Sequence, residues 1–233
     1  MSETLLLSCS KEAFLIGTIE NALNGVEVDI DSIPESYFKV DIKIVGDEFH
    51  SSIDGTVARS LWEFEKSLRN ATVQMLHGNS NSNCLTFEEK SYTSINFTVS
   101  AGCSNLKADL KPLIKSLGRG FEKMGTLGKI CVVGMLCGTV LFGGYLFGEH
   151  VEKMEEQEIN ADNSRYKMLK DAYEYSLPFK LAYTESSDRI AKSASNAQYV
   201  EINQRHYTRE DIERLNSRSS PTQPEFETIG GRY

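Results

Sequence analysis

Nineteen consecutive residues, Ile130 to Gly148, carry no charge in a chain of 233 residues of which 25% are charged. A helix of that length rises about 28 Å, close to the ~30 Å hydrocarbon thickness of a bilayer, so the stretch predicts a single membrane span. Its Leu, Ile, Val and Phe residues favour insertion by about 4 kcal/mol before the less favourable glycines and Thr139 are counted. The alternative is a helix buried at the centre of a soluble oligomer. Elsewhere the chain reads as a soluble acidic protein, with 25 Lys+Arg against 33 Asp+Glu and a net charge of −8. That balance excludes a multi-span transporter, a collagenous or low-complexity chain, and a basic protein that coats nucleic acid through net charge.

The glycines of the stretch are spaced for close helix contact. Gly134 with Gly138 and Gly144 with Gly148 form two GxxxG pairs, which let helix backbones approach and pack without help from apolar burial. Self-association into a homo-oligomer in the lipid bilayer is therefore predicted, the alternative being an anchor whose glycines only relieve crowding. A ring of such spans could enclose a narrow pore lined by Thr139 and Gly143, with Glu149, Glu152 and Glu155 at one mouth. The alternative for those acids, and the better supported one, is a solvated acidic helix face beside the membrane. Lys115, Arg119, Lys123 and Lys129 precede the stretch, whereas Lys153 stands alone after it among Glu149, Glu152, Glu155, Glu156 and Glu158. The positive-inside rule then places the N-terminal region in the cytoplasm, with the span expected in the inner membrane. The opening MSETLLLSCSKE lacks the basic start and long apolar core of a signal peptide.

Around the span the expected fold is an α+β N-terminal domain over 1–105, a basic connecting helix over 106–129, a transmembrane helix over 130–148, a small α+β C-terminal domain of helix and hairpin over 149–216, and a flexible tail over 217–233. Phe14, Leu15, Ile19, Ala22 and Leu23 fit a helical face before a strand-like Val26 to Ile30. Phe38, Val40, Ile42 and Ile44 alternate with Lys39, Asp41 and Lys43, the period of a half-buried strand. After Asp54 and Gly55, the apolar residues Val57, Leu61, Phe64, Leu68, Ala71 and Met75 predict one long helix closing near Gly78. Ile95, Phe97 and Val99 predict another strand. Beyond the span, Tyr166 to Leu177 predicts a helix ended by Pro178. Residues 199–208 predict a hairpin around Asn203 and Gln204, and Thr208 with Asp211 approximates a capping box.

Lys107, Lys111, Lys115, Arg119 and Lys123 recur every fourth residue, so on one helix they would form a slowly winding basic stripe, which Pro112 could interrupt. Such a stripe is a candidate for binding an anion, whether lipid headgroup, nucleotide or nucleic-acid phosphate, or else a solvated helix face. Recognisable catalytic chemistry is missing. Gly120 to Gly125 has phosphate-loop glycine spacing but Thr126 where Lys is needed, and no GxSxG, kinase or dinucleotide fingerprint occurs. His50, His77, His150 and His206 are far apart, and Cys9, Cys84, Cys103, Cys131 and Cys137 form no CxxC pair. The expectation is no enzyme, no cofactor, no metal and no disulfide framework.

Four segments carry a family resemblance: Val40-Asp-Ile-Lys-Ile, Phe49-His-Ser-Ser-Ile-Asp, Leu61-Trp-Glu-Phe-Glu-Lys-Ser-Leu-Arg and Ser94-Ile-Asn-Phe-Thr-Val-Ser-Ala-Gly-Cys-Ser. Across residues 38–148 the pattern resembles uncharacterised bacterial and prophage membrane proteins, some of them similar to the membrane effectors of bacterial anti-phage systems such as the HalA-type effector of Hailong defence. The resemblance implies an oligomeric membrane protein that disrupts ion balance when released from an inhibitory oligonucleotide, made by a partner nucleotidyltransferase. It defines no ligand residue here. The expected function is thus an oligomeric single-span effector, pore or channel forming, with a cytoplasmic sensor domain. The alternative is a single-pass scaffold or receptor that binds proteins through its soluble parts.

Overall fold

Strict alternation of Lys39, Asp41 and Lys43 with Val40, Ile42 and Ile44 makes β1 (Lys39–Val45) the centre of the structure, a computed structural model. It describes residues 3–47, 49, 53–79, 81–99, 105–120, 125–143 and 163–217. The chain runs α1 (Glu3–Leu23), β1, α2 (Gly55–His77), α3 (Phe87–Tyr92), β2 (Phe97–Val99), β3 (Asn105–Asp109), α4 (Lys111–Gly120), α5 (Gly125–Phe142), α6 (Asn163–Ser193), β4 (Tyr199–Ile202), β5 (Arg205–Thr208) and α7 (Arg209–Ser217). The five strands form one antiparallel sheet in the order β2-β3-β1-β4-β5. Because β1 pairs with β4, the N-terminal and C-terminal regions share that sheet.

Each strand turns its apolar residues to one side, where Val40, Ile42, Leu106, Ala108, Val200 and Ile202 are no more than 3% exposed. Helices cover that side. Phe64 of α2 meets Phe97 of β2 edge-on at 5.9 Å and Tyr183 of α6 at 5.6 Å, rings in the tilted arrangement that aromatic quadrupoles favour. The opposite side of β1 and β3 carries Lys39, Asp41, Lys43, Lys107 and Asp109, all exposed. The α+β character is as expected.

The membrane span is not. Among the described residues no helix is long and apolar enough to cross a membrane. The predicted transmembrane helix is α5, which contains Lys129 and ends at Gly143, where φ is +70°. From Ile130 to Phe142 the uncharged helix has only 13 residues, roughly 20 Å of rise against a ~30 Å hydrocarbon core. Its surroundings are protein: α1, α4, α6, β1 and the short 3-10 turn Glu35–Tyr37 all pack on it. Ile130, Cys131, Val132, Val133, Met135, Leu136, Cys137, Val140 and Leu141 are consequently at most 4% exposed. A helix apolar all round must be shielded on every side, and here other helices do so within one subunit. The transmembrane assignment and the inner-membrane location therefore fall together. Residues 144–148 of the predicted span, the acids at 149, 152 and 155, and the tail from 218 onward lie outside the described residues.

Other boundaries shift for local reasons. Residues 105–109 form strand rather than helix, because Leu106, Ala108 and Leu110 also fit period two, and pairing with β1 satisfies their backbone. The Asp109 carboxylate then accepts the Lys111 N–H at 2.8 Å, and Pro112 falls in the first turn of α4, where its missing donor costs nothing. Pro178 does not end its helix. Removing its N–H leaves the carbonyl of Glu174, an exposed residue, without its helical donor, while buried Ala172, Ser176, Phe179 and Tyr183 hold α6 together through this point. Residues 26–29 form no strand and lead into a 3-10 turn, Ile30–Ser32, where the Asp29 carboxylate accepts the Asp31 N–H at 2.9 Å.

The expected Thr208–Asp211 capping box is present, and the helix caps carry a pH dependence. Asp54 caps α2, its carboxylate accepting the Thr56 hydroxyl at 2.6 Å and the Val57 N–H at 2.7 Å, and these bonds hold its pKa below the ordinary value. Thr208 donates its hydroxyl and its N–H to Asp211 at the start of α7, lowering that pKa too. Burial raises Glu89 of α3, but bonds from the Thr86 N–H and hydroxyl and the charge of His77 outweigh it. The unfolded chain binds protons at these sites more readily than the folded one. Stability from them is thus complete above the unfolded carboxylate pKa of about 4 and is lost as pH falls through the folded values. Thermal melts at stepped pH should show a falling midpoint below about pH 4, and a shallower fall for Asp54→Asn. A midpoint unchanged between pH 5 and 3 would contradict this reading.

Candidate ligand-binding cleft

A cleft of about 400 Å³ opens beside the end of β1 and runs onto the exposed side of the sheet. Three lysines reach it from neighbouring strands: Lys39 and Lys43 from β1 and Lys107 from β3. A fourth, Lys11, comes from α1, with Ser36 beside it. The carboxylates of Asp41 and Glu201 and the amides of Asn105, Asn203 and Gln204 complete the polar lining. Strand alternation is the reason these side chains converge. Lys43 stands opposite Asn105 on one side and Glu201 on the other, and Lys107 stands opposite Asp41.

Local contacts set the electrostatics. Lys107 Nζ is 3.8 Å from Asp41 Oδ1 and Lys39 Nζ is 4.0 Å from Glu35, both pairs exposed and individually weak. Lys11 and Lys43 rest over the rings of Tyr37 and Tyr199 at 6.0 and 5.6 Å. The amide oxygen of Asn105 is buried without a hydrogen-bond partner in the described structure. Asn203, also in the lining, is fixed from several directions. Its Oδ1 accepts the Asp41 N–H at 2.8 Å, and its Nδ2 donates to Val140 O at 2.6 Å and to Lys39 O at 3.2 Å. The cleft thus gathers lysine ammonium groups beside carboxylates and amides, an arrangement suited to binding an anion that also carries neutral polar groups.

The predicted basic stripe is not brought together. Lys107 lies on a strand and lines the cleft, whereas Lys111 pairs with Glu35 at 3.2 Å and Lys115 with Asp31. Arg119 belongs to the last turn of α4, and Lys123 lies outside the described residues. The predicted oligomerisation and pore positions are used inside one subunit. A Cβ added at Gly134 would come within 2.8 Å of Ile19 Cδ1, so this glycine admits α1 against α5. Gly138 is buried, and Thr139, 3% exposed, donates its hydroxyl to Met135 O at 3.0 Å. Gly143 takes a left-handed conformation, with space for a Cβ already filled by Arg205. Gly144 and Gly148 are outside the described residues.

Lys11, Lys39, Lys43 and Asn203 were not picked out as binding residues from the sequence. The signal for the β1 lysines was present, since alternation assigns them to the polar face. What could not be seen was that β3 and β4 flank β1 and bring Lys107 and Glu201 beside them. Among the described residues no cluster of His, Cys, Asp and Glu is arranged to hold a metal ion. Comparison with known protein families, curated proteins and solved structures finds no match to this chain.

Proposed function

We propose that this chain is a non-catalytic ligand-binding regulator, and that its ligand is a phosphate-bearing nucleotide or short oligonucleotide held in the lysine-rimmed cleft. The observation that carries the reading is the gathering of Lys11, Lys39, Lys43 and Lys107 around one cleft in a chain of net charge −8. Lysine concentrated against the overall charge raises local anion concentration where field lines focus in a concave surface. The resemblance to the HalA-type effectors supports the same ligand class, an oligonucleotide supplied by a partner nucleotidyltransferase. A protein-binding scaffold is the second reading, favoured by Trp62 and Leu181, each 58% exposed, and by Phe87 at 91%.

Isothermal titration with ATP and with a trinucleotide tests the first reading. Binding in the micromolar range is expected, weakening with salt and falling about tenfold in the double variant Lys43→Ala, Lys107→Ala. No heat from either ligand at millimolar concentration would refute it.

A further inference from the structure

We infer that α1 is a hinged cover over α5, and that an anion in the cleft latches it by joining Lys11 on α1 to Lys39, Lys43 and Lys107 on the sheet. The inference rests on the proposal that the cleft binds a phosphate-bearing ligand, and it adds what such binding does to the protein. Among the described residues, α5 is the one element against which α1 packs extensively. Leu15, Ile19 and Ala22 are buried on α1, and Ile19 occupies the space that a side chain at Gly134 of α5 would fill. A second tie runs to the turn Glu35–Tyr37, where Phe14 meets the Tyr37 ring at 5.2 Å and the Lys11 ammonium lies 6.0 Å from it. Just past the end of α1, exposed Gly25 holds φ at +79°, a conformation that costs glycine little, so the joint can bend there. An element held mainly by one neighbour opens at lower free energy than one packed on several sides.

The cleft lies at the edge of that cover. Among the described residues Lys11 is the one lining group from α1, and Leu141 brings α5 into the same lining. Gly134, Cys137 and Leu141 recur at three- and four-residue steps, so one face of α5 runs from the Ile19 contact to the cleft. Cys137 lies between the two ends of that face and is 0% exposed. Burial, and after it the Cys137 thiol, raises the Tyr37 pKa, which places this thiol beside the ring that α1 touches. A polyvalent anion on Lys11 and the strand lysines would therefore bridge α1 directly to the sheet. With α1 lifted, three ammonium groups remain on the strands and the fourth has gone. By linkage, the anion favours the covered form by the share of its affinity that Lys11 supplies.

Labelling of Cys137 in the full chain with a thiol reagent, resolved by mass spectrometry, reads the lifting of α1, while calorimetry on the same samples reads binding of ATP. Saturating ATP is expected to slow Cys137 about fivefold while exposed Cys84 reacts at an unchanged rate. Because the lifting is local, Cys137 labelling without ATP should hardly change in urea well below the unfolding midpoint. Lys11→Ala should bind ATP through the strand lysines about fivefold more weakly and give Cys137 no protection at saturation, and Lys11→Arg should restore both. ATP that binds without slowing Cys137, or slows it equally in Lys11→Ala, overturns the latch and leaves the anion cleft standing. Labelling that rises with urea as global unfolding does would show that α1 does not lift, and overturns the latch as well. Absence of ATP binding overturns the cleft itself and the latch with it.

Discussion

Leu136→Ala will lower the free energy of unfolding by about 3 kcal/mol, a shift readable as a lower urea midpoint at unchanged slope. Leu136 is 0% exposed at the middle of α5, where α1, α4 and α6 converge. Truncation removes the transfer free energy of three carbons and leaves a cavity that surrounding helices, packed from several sides, can close only in part. Against a typical total of about 5–15 kcal/mol, the loss takes a large share of the stability. A second readout comes from the thiols in the same helix. Burial pushes Cys131 up to about 11 and raises Cys137 as well, so in the folded wild type both should resist a thiol reagent at neutral pH. Labelling resolved by mass spectrometry should accelerate at both in Leu136→Ala, through more frequent unfolding. An unchanged midpoint, together with fast labelling of Cys137 in the native wild type, would mean that α5 is not the core of this fold.

Asn203→Ala should cost about 2–3 kcal/mol, more than a surface turn substitution usually does. Asn203 holds φ at +52°, a conformation that Asn accepts and Ala resists by about 1–2 kcal/mol. Its side chain also ties three elements together. It accepts the Asp41 N–H and donates to Val140 O at the end of α5, where the buried Tyr183 hydroxyl also donates at 3.0 Å. Loss of the amide leaves the Asp41 N–H and the Lys39 carbonyl dependent on water. Asn203→Gly separates the two effects, since glycine removes the backbone penalty but not the lost bonds, and should fall between wild type and Asn203→Ala in a urea titration. Equal stability of all three would show that the turn is not what joins the hairpin to β1.

Elements with one strong periodic signal were legible. β1 shows period two over its whole length, α2 lies between an Asp54 cap and Gly78, and the hairpin around Asn203 with the Thr208 and Asp211 cap behaves as its turn chemistry dictates. Illegible elements were those where two periods fit one stretch or where a local rule met a tertiary constraint. Leu106, Leu110, Leu113 and Leu117 suit a helix, yet pairing of residues 105–109 with β1 prevails. That choice dispersed the basic stripe, because Lys107 moved to a strand while Lys111 and Lys115 turned to Glu35 and Asp31. The lysine cleft needed strand order, since Lys43 and Lys107 become neighbours of one cleft only when β3 is known to flank β1.

The apolar run in α5 establishes that this segment leaves water, and it would do so in lipid or in protein, since apolar burial has no direction and no preferred partner. Which of the two takes water's place depends on side chains far away in the chain. Ile19 fits against Gly134, Tyr183 donates to Val140 O, and α4 closes a further side, so the helix finds its cover within its own fold. Composition and period are local quantities, whereas that cover is a sum over long-range contacts. The same stretch, read alone, is therefore equally good as a membrane anchor and as a core.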